Sequence, residues 1–164
     1  MKTYVLTISN TFPKTHIKSG LETNFVVKIN SLIKKHTIRG NFLLWQKRFE
    51  KIEKGEACLS VRNWTGKPYN SKQVEVFNLK NTDGISIEKL EFYKDKDGIP
   101  ALKYPLINNN FGINIDIIAE NDGLSLSDFK EWFKGYDLSK PMAIIHFTYF
   151  KYCNNNIATI IKSE

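Results

Sequence analysis

The chain is short of the residues that mark specialised classes. It has only two cysteines, Cys58 and Cys153, without CxxC spacing. That excludes a disulfide-stapled scaffold and fits a reducing compartment, so the cytoplasm is the expected location. Long apolar runs are missing as well. Even Ala143 to Phe150 is broken by His146 and Thr148, far from the roughly 20 residues needed to span a bilayer, and no membrane partner is expected. Met1 to Pro13 has a short apolar stretch and no cleavage-site pattern, so no signal peptide is read. The three histidines, His16, His36 and His146, stand far apart, and neither cysteine has a partner at finger or ribbon spacing. No metal and no cofactor are expected. Lys94-Asp-Lys-Asp-Gly98 lacks the later ligands of a calcium loop and reads as a turn. Gly66-Lys67 is followed by proline and has no glycine five residues upstream, which excludes a phosphate-binding P-loop; no GxSxG or GxGxxG occurs.

What is present describes one globular domain. At 164 residues, 41% hydrophobic and 25% charged, residues 1–164 form a single unit large enough for its own core. Net charge is +7, unevenly spread. Residues 1–80 hold fifteen Lys and Arg against five Asp and Glu; residues 81–164 hold nine against twelve. A basic half joined to a slightly acidic half can present one positive face to phosphate backbones, although a solvated lysine surface has the same composition.

Periodicity predicts a strand over Tyr4 to Ile8 and then a break at Asn10-Thr-Phe-Pro13. Phe25, Val26, Ile29, Leu32 and Ile33 predict an amphipathic helix from about Glu22 to Lys35, and Leu44, Trp45, Phe49 and Ile52 a second over Phe42 to Glu53, stopped by Gly55. His36 to Gly40 is too short to classify by period. Alternation then predicts strands over Ala57 to Arg62 and Val74 to Phe77. Further strands are expected at Ile85 to Tyr93, Ile99 to Leu102, Ile113 to Ala119, Met142 to Tyr149 and Ile157 to Ile161, with a turn at Asp97-Gly98. Leu126, Phe129, Trp132 and Phe133 predict a late helix capped by Ser125 or Ser127. The expected fold class is α+β: a small mixed β-barrel with two or three flanking helices.

Two stretches carry chemistry. Lys34-Lys-His-Thr-Ile-Arg39 leaves the first helix, and Leu59 to Lys72 packs Arg62, Lys67, Lys72 and the aromatics Trp64 and Tyr69 into 14 residues. Aromatic faces among cations suit a single-stranded or flipped base, which stacks while the cations hold phosphates. The competing structural reading makes Trp64 and Tyr69 a lid on the core and pairs Arg39 and Arg62 with acids.

Lys34-x-x-Thr37-Ile-Arg39, the helix around Trp45 and Ala119-Glu-Asn-Asp-Gly-Leu-Ser-Leu-Ser-Asp-Phe-Lys-Glu-Trp-Phe133 resemble the ASCH domain, a branch of the PUA-like superfamily, over residues 14 to 150. His36-Thr-Ile-Arg-Gly-Asn41 with Trp64-Thr-Gly-Lys-Pro-Tyr69 also looks like a group of small bacterial and phage proteins of unassigned role. The resemblance implies a PUA-like barrel of the kind that commonly binds RNA. In some ASCH members a lysine, a threonine and a glutamate hydrolyse an acetylated cytidine nucleoside. On this chain Lys34 and Thr37 match the first two. Asp122 falls nearest the glutamate, one methylene shorter, with Glu120 two residues earlier as the other choice.

Threonine is a poor nucleophile until a base takes its proton, which a lysine can do once burial lowers its pKa; a carboxylate can then serve the leaving amine. The same residues can instead bind a nucleotide, with Arg39 on a phosphate, Thr37 on a base edge and Asp122 on an exocyclic amine. Without either role, Lys34 and Lys35 are helix-end cations and Asp122-Gly123 is a turn. The leading expectation is therefore nucleic-acid or nucleotide binding in a basic cleft, through Arg39, Arg62, Trp64, Lys67, Tyr69 and Lys72. RNA is the first candidate partner and DNA stays open. The alternative is a nucleoside amidohydrolase built on Lys34, Thr37 and Asp122, and the third reading is a protein-interaction module.

Overall fold

The computed structural model describes residues 1–153. The first strand, β1 (Lys2–Ile8), pairs in parallel with β3 (Ala57–Trp64), which pairs antiparallel with β4 (Gln73–Leu79). A second sheet has the order β2 (His36–Arg39), β7 (Met142–His146), β5 (Ser86–Lys94) and β6 (Pro100–Ile107), antiparallel throughout. All five residues of β7 are buried, as expected of a central strand, and the first five of β3 are buried too. Both strands contribute to the core, with Leu59, Val61, Ile144 and Ile145 packed among Leu6, Phe49, Ile118 and Phe129.

The fold is α+β, and the expected closed barrel does not form among the described residues. The chain instead builds two separate sheets and four α-helices. β2 is only four residues long and ends at Gly40 before Asn41 opens the next helix, too short to continue a ladder onto β1. The free edge of β1 is met by a side chain instead: Arg39 Nη2 donates to Thr7 O at 2.6 Å.

Helix α2 (Phe42–Glu53) follows its predicted bounds. Asn41, at φ 57°, accepts from Leu44 N through its side chain, and Trp45, Phe49 and Ile52 face the core. Helix α4 (Leu126–Phe133) is capped by Ser125 and buries Phe129 and Phe133.

Two elements depart from expectation. Helix α1 covers only Phe25–Asn30, not 22–35. Ser31 Oγ bonds back to Val27 O, Leu32 takes φ 60°, and both Ile33 N and Lys34 N donate to Lys28 O, so the chain reverses instead of winding on. As a result Leu32 and Ile33 are 62% and 53% exposed while Lys34 is 1% exposed, the inverse of the amphipathic reading. The strand expected at Ile113 to Ala119 is a helix, α3 (Ile115–Asn121). Asn114 caps it by accepting from Asp116 N, and Ile115, Ile118 and Ala119 recur at i, i+3 and i+4 on the buried face. The strand expected at 157–161 lies outside the described residues. No helix among them is long and apolar enough to cross a membrane.

Candidate functional site

The turn after α1 aims Lys34 inward, and the turn between α3 and α4 brings Asp122 to meet it. Lys35 N donates to Asn121 O at 2.8 Å, and Phe147 N to Lys35 O at 2.9 Å, so residues 34–36 are wedged between the α3 terminus and β7. Lys28 Nζ donates to Gly123 O at 2.8 Å from the other side. Within this frame Lys34 Nζ donates to the Asp122 carboxylate and to the Asp122 carbonyl, both at 2.6 Å, and lies 4.1 Å from the Phe25 ring centroid. Its three N–H groups thus have two oxygens and an aromatic face. Burial lowers the Lys34 pKa and raises that of Asp122; their attraction for each other opposes both shifts. Of the two candidate carboxylates, Asp122 occupies the cluster and Glu120 is exposed.

Thr37 and Arg39 come from the same strand and share a face. Arg39 Nη1 donates to Thr37 Oγ1 at 2.9 Å and to Ile38 O at 2.8 Å. Burial lowers the Arg39 pKa and Asp122 opposes it. The Thr37 hydroxyl is therefore engaged by Arg39, and among the described contacts no hydrogen bond joins it to Lys34. The structure thus joins Lys34 to Asp122 and Arg39 to Thr37, with Lys34, Thr37 and Asp122 buried and Arg39 half-buried.

Beyond Asp122 the polar groups continue into the core. His36 Nε2 is 2.8 Å from the Tyr152 hydroxyl, which also accepts from Asn121 Nδ2 at 3.2 Å. With Asn121 donating to the phenol oxygen, its O–H is free to donate to Nε2. The proton of neutral His36 then belongs on Nδ1, 3.7 Å from Asp122 Oδ1 and without a hydrogen-bond partner. Burial, reinforced by His146, Lys34 and Lys35, lowers the His36 pKa well below its usual value.

His146, its cross-strand partner, bonds Glu88 at 2.7 Å, and Glu88 also accepts from Tyr152 N and Cys153 N at 3.0 and 3.1 Å. Burial alone would raise the Glu88 pKa; the hydrogen bonds from His146 and Tyr152 overcome it and hold the carboxyl at about 2. Sequence reasoning missed this part. Its signal was present in His146 and Glu88, polar residues inside strands whose neighbours of the same face are apolar. Among the described residues no three His, Cys, Asp or Glu side chains group as metal ligands.

The second stretch sits elsewhere. Trp64 ends β3, and residues 65–72 form a loop closed by Thr65 N to Lys72 O, Gly66 N to Ser71 Oγ and Asn70 N to Lys67 O. Tyr69, at φ 65° and 89% exposed, holds its ring centroid 5.3 Å from that of Trp64, the two planes tilted by 51°. Lys67 and Lys72 are exposed beside this pair, and half-buried Arg62 donates through Nε to Ser60 Oγ, which in turn bonds Glu75. Tyr69 thus stands out on the loop with half-buried Trp64 at its base, and neither ring belongs to the core cluster.

Between the two regions lies a cavity of about 300 Å3, lined by Asn10, Thr11, Glu22, Asn24, Phe25, Val26, Val27 and Asn63. Phe25 is shared, since the ring that covers Lys34 Nζ also lines the cavity. On the far side Asn63 leads directly into Trp64, whose carbonyl accepts from Asn10. Compared with protein-family models, curated proteins and solved structures, the chain finds no match.

Proposed function

We propose that the chain binds single-stranded nucleic acid, RNA before DNA, as an ASCH-type domain of the PUA-like kind working in the cytoplasm. The observation that carries this reading is the Trp64–Tyr69 pair: two aromatic rings in tilted contact, half-buried Trp64 at the end of β3 and exposed Tyr69 on the loop that carries Lys67 and Lys72, next to the wall of a cavity. The exposed Tyr69 ring gains little from burial, and its cost in solvent is recovered when a base stacks on it. The surrounding lysines supply the phosphate contacts, and the net charge of +7 supplies long-range attraction.

Fluorescence anisotropy with labelled RNA and DNA decamers at two salt concentrations tests it. Binding that weakens with salt, and further in Trp64→Ala, is the expected result. No binding at low salt removes the reading.

A second reading, hydrolysis of an acylated or otherwise modified nucleoside, is favoured by the Lys34–Asp122 pair, in which burial moves both groups toward neutrality beside Thr37 and neutral His36. A neutral amine is what general-base activation of Thr37 requires, after Arg39 and Asp122 release the groups they hold. Incubation with a panel of N-acylated nucleosides, followed by chromatography, decides it. Product formed by the wild type and not by Lys34→Ala or Thr37→Ala supports this reading, and no product from any substrate ends it.

A further inference from the structure

The cavity beside Phe25 has walls of unusual polarity. Its neighbours carry a strong positive excess, yet the one charged residue among its lining is Glu22. The polar side chains free to meet a ligand there are those of Thr11, Glu22 and Asn24. Asn63 donates its amide to Asn10 Oδ1, and its own Oδ1 has no hydrogen-bond partner. Asn10 in turn spends its amide on Trp64 O. Asn24 precedes α1 at φ 56°, and its side chain caps nothing, unlike Asn41 and Asn114 at the equivalent place of α2 and α3. Among the described residues the Glu22 carboxylate is exposed and takes part in no ion pair.

The walls are also rigid. Thr11 and Glu22 are bridged across the loop, Phe12 N donates to Leu21 O, and Thr23 Oγ1 donates to Ser9 O and Thr23 N to Asn10 O, at 2.7 and 2.9 Å. A stiff hollow of this size whose one charged wall residue is a carboxylate favours a small planar group rich in N–H donors.

Resting on the nucleic-acid reading above, we infer that this cavity is a base-reading pocket selective for guanine, with Glu22 accepting the paired N1–H and N2–H donors of its Watson–Crick edge. The Asn24 carboxamide supplies a further contact. Guanine is the base that places two donors side by side. Adenine and cytosine set a ring acceptor next to their amine, and uracil flanks its one N–H with two carbonyls, so each presents a lone pair to the carboxylate. The strand leaves the pocket past Asn63 and stacks its next base on Trp64 and Tyr69, where Lys67 and Lys72 meet the phosphates.

The test uses the full chain and uridine decamers carrying single substitutions, read by fluorescence anisotropy at one fixed salt. A guanosine-substituted decamer binds about tenfold more tightly than all-uridine, adenosine- or cytidine-substituted ones, the scale of one good bidentate contact. Inosine, which keeps N1–H and lacks the amine, falls between. Glu22→Gln, at an exposed position that leaves the fold intact, removes the guanosine preference while keeping the binding common to all decamers; circular dichroism confirms its folding. Equal affinity for all decamers, or a guanosine preference that survives in Glu22→Gln, overturns the guanine pocket and leaves nucleic-acid binding standing. Failure of every decamer to bind removes both. If agmatine, a free guanidinium, displaces the guanosine decamer no better than sodium at equal ionic strength, the base assignment is kept; displacement by agmatine alone, with no base preference, assigns the cavity to a cationic ligand and overturns it.

Discussion

Gly123 lies so close to Lys34 that a Cβ on it would stand 3.0 Å from the lysine Cβ, at a backbone φ of 76°. Two constraints coincide there, left-handed backbone and close approach of the segment that carries Lys34. Gly123→Ala is expected to cost about 1–2 kcal/mol from the backbone alone, with a further loss from displacing Lys34. Urea denaturation gives the size, and a midpoint within error of the wild type refutes the packing account.

The Lys34–Asp122 pair should behave as one unit. Replacing either partner leaves a buried polar group uncompensated, so Lys34→Met and Asp122→Asn are each expected to destabilise by about 3 kcal/mol or more. The combined Lys34→Met/Asp122→Asn variant should lose less than the sum of its parts, because no orphan charge remains. A denaturant series on the three variants measures the coupling, and strict additivity would contradict the 2.6 Å contact.

Acid stability should fall in two stages. Burial depresses the His36 pKa below its ordinary 6.5, so the unfolded chain takes up a proton that the folded one refuses, and stability declines as pH drops below about 6.5. Glu88, held at about 2 against an ordinary 4.5, adds stability that is complete above pH 4.5 and lost as pH falls from there toward 2. The difference corresponds to about 3 kcal/mol. Thermal melts from pH 8 to pH 3 should show both declines, and Glu88→Gln should abolish the lower one.

Trp64 and Tyr69 should separate binding from folding. Neither ring belongs to the core cluster, so Trp64→Ala is expected to shift the melting temperature by a few degrees at most. The same change should lower affinity for single-stranded RNA by the value of one stacked base, about 1–3 kcal/mol. Lys67→Ala should weaken binding to every sequence and flatten the salt dependence. A large stability loss in Trp64→Ala would return these rings to a structural role.

Much of this was legible before the coordinates. Helix α2 announced itself because Trp45, Phe49 and Ile52 repeat at helical spacing between an asparagine cap and a glycine stop. The meeting of residues 34–39 with Asp122 came from short motifs, and it is realised in space. The length of α1 was not legible, because Leu32 and Ile33 extend the apolar period while the backbone turns at Leu32, where no glycine or proline flags the break. The α3 helix was obscured by isoleucines, whose β propensity outweighed the cap at Asn114 until burial on one face decided the matter. The cavity was not legible because its walls, Asn10, Glu22 with Asn24, and Asn63, come from three segments with no motif in common. Only the bridge between Thr11 and Glu22 and the run of β3 bring them together.

Strand β7 sits between β2 and β5, yet it follows both in the chain by at least 48 residues. During synthesis the four-stranded sheet therefore has a vacant middle until residue 146 has left the ribosome. The outer strands then expose unpaired edges, and the nascent polypeptide depends on chaperones or on the speed of translation to reach its last internal strand before it aggregates.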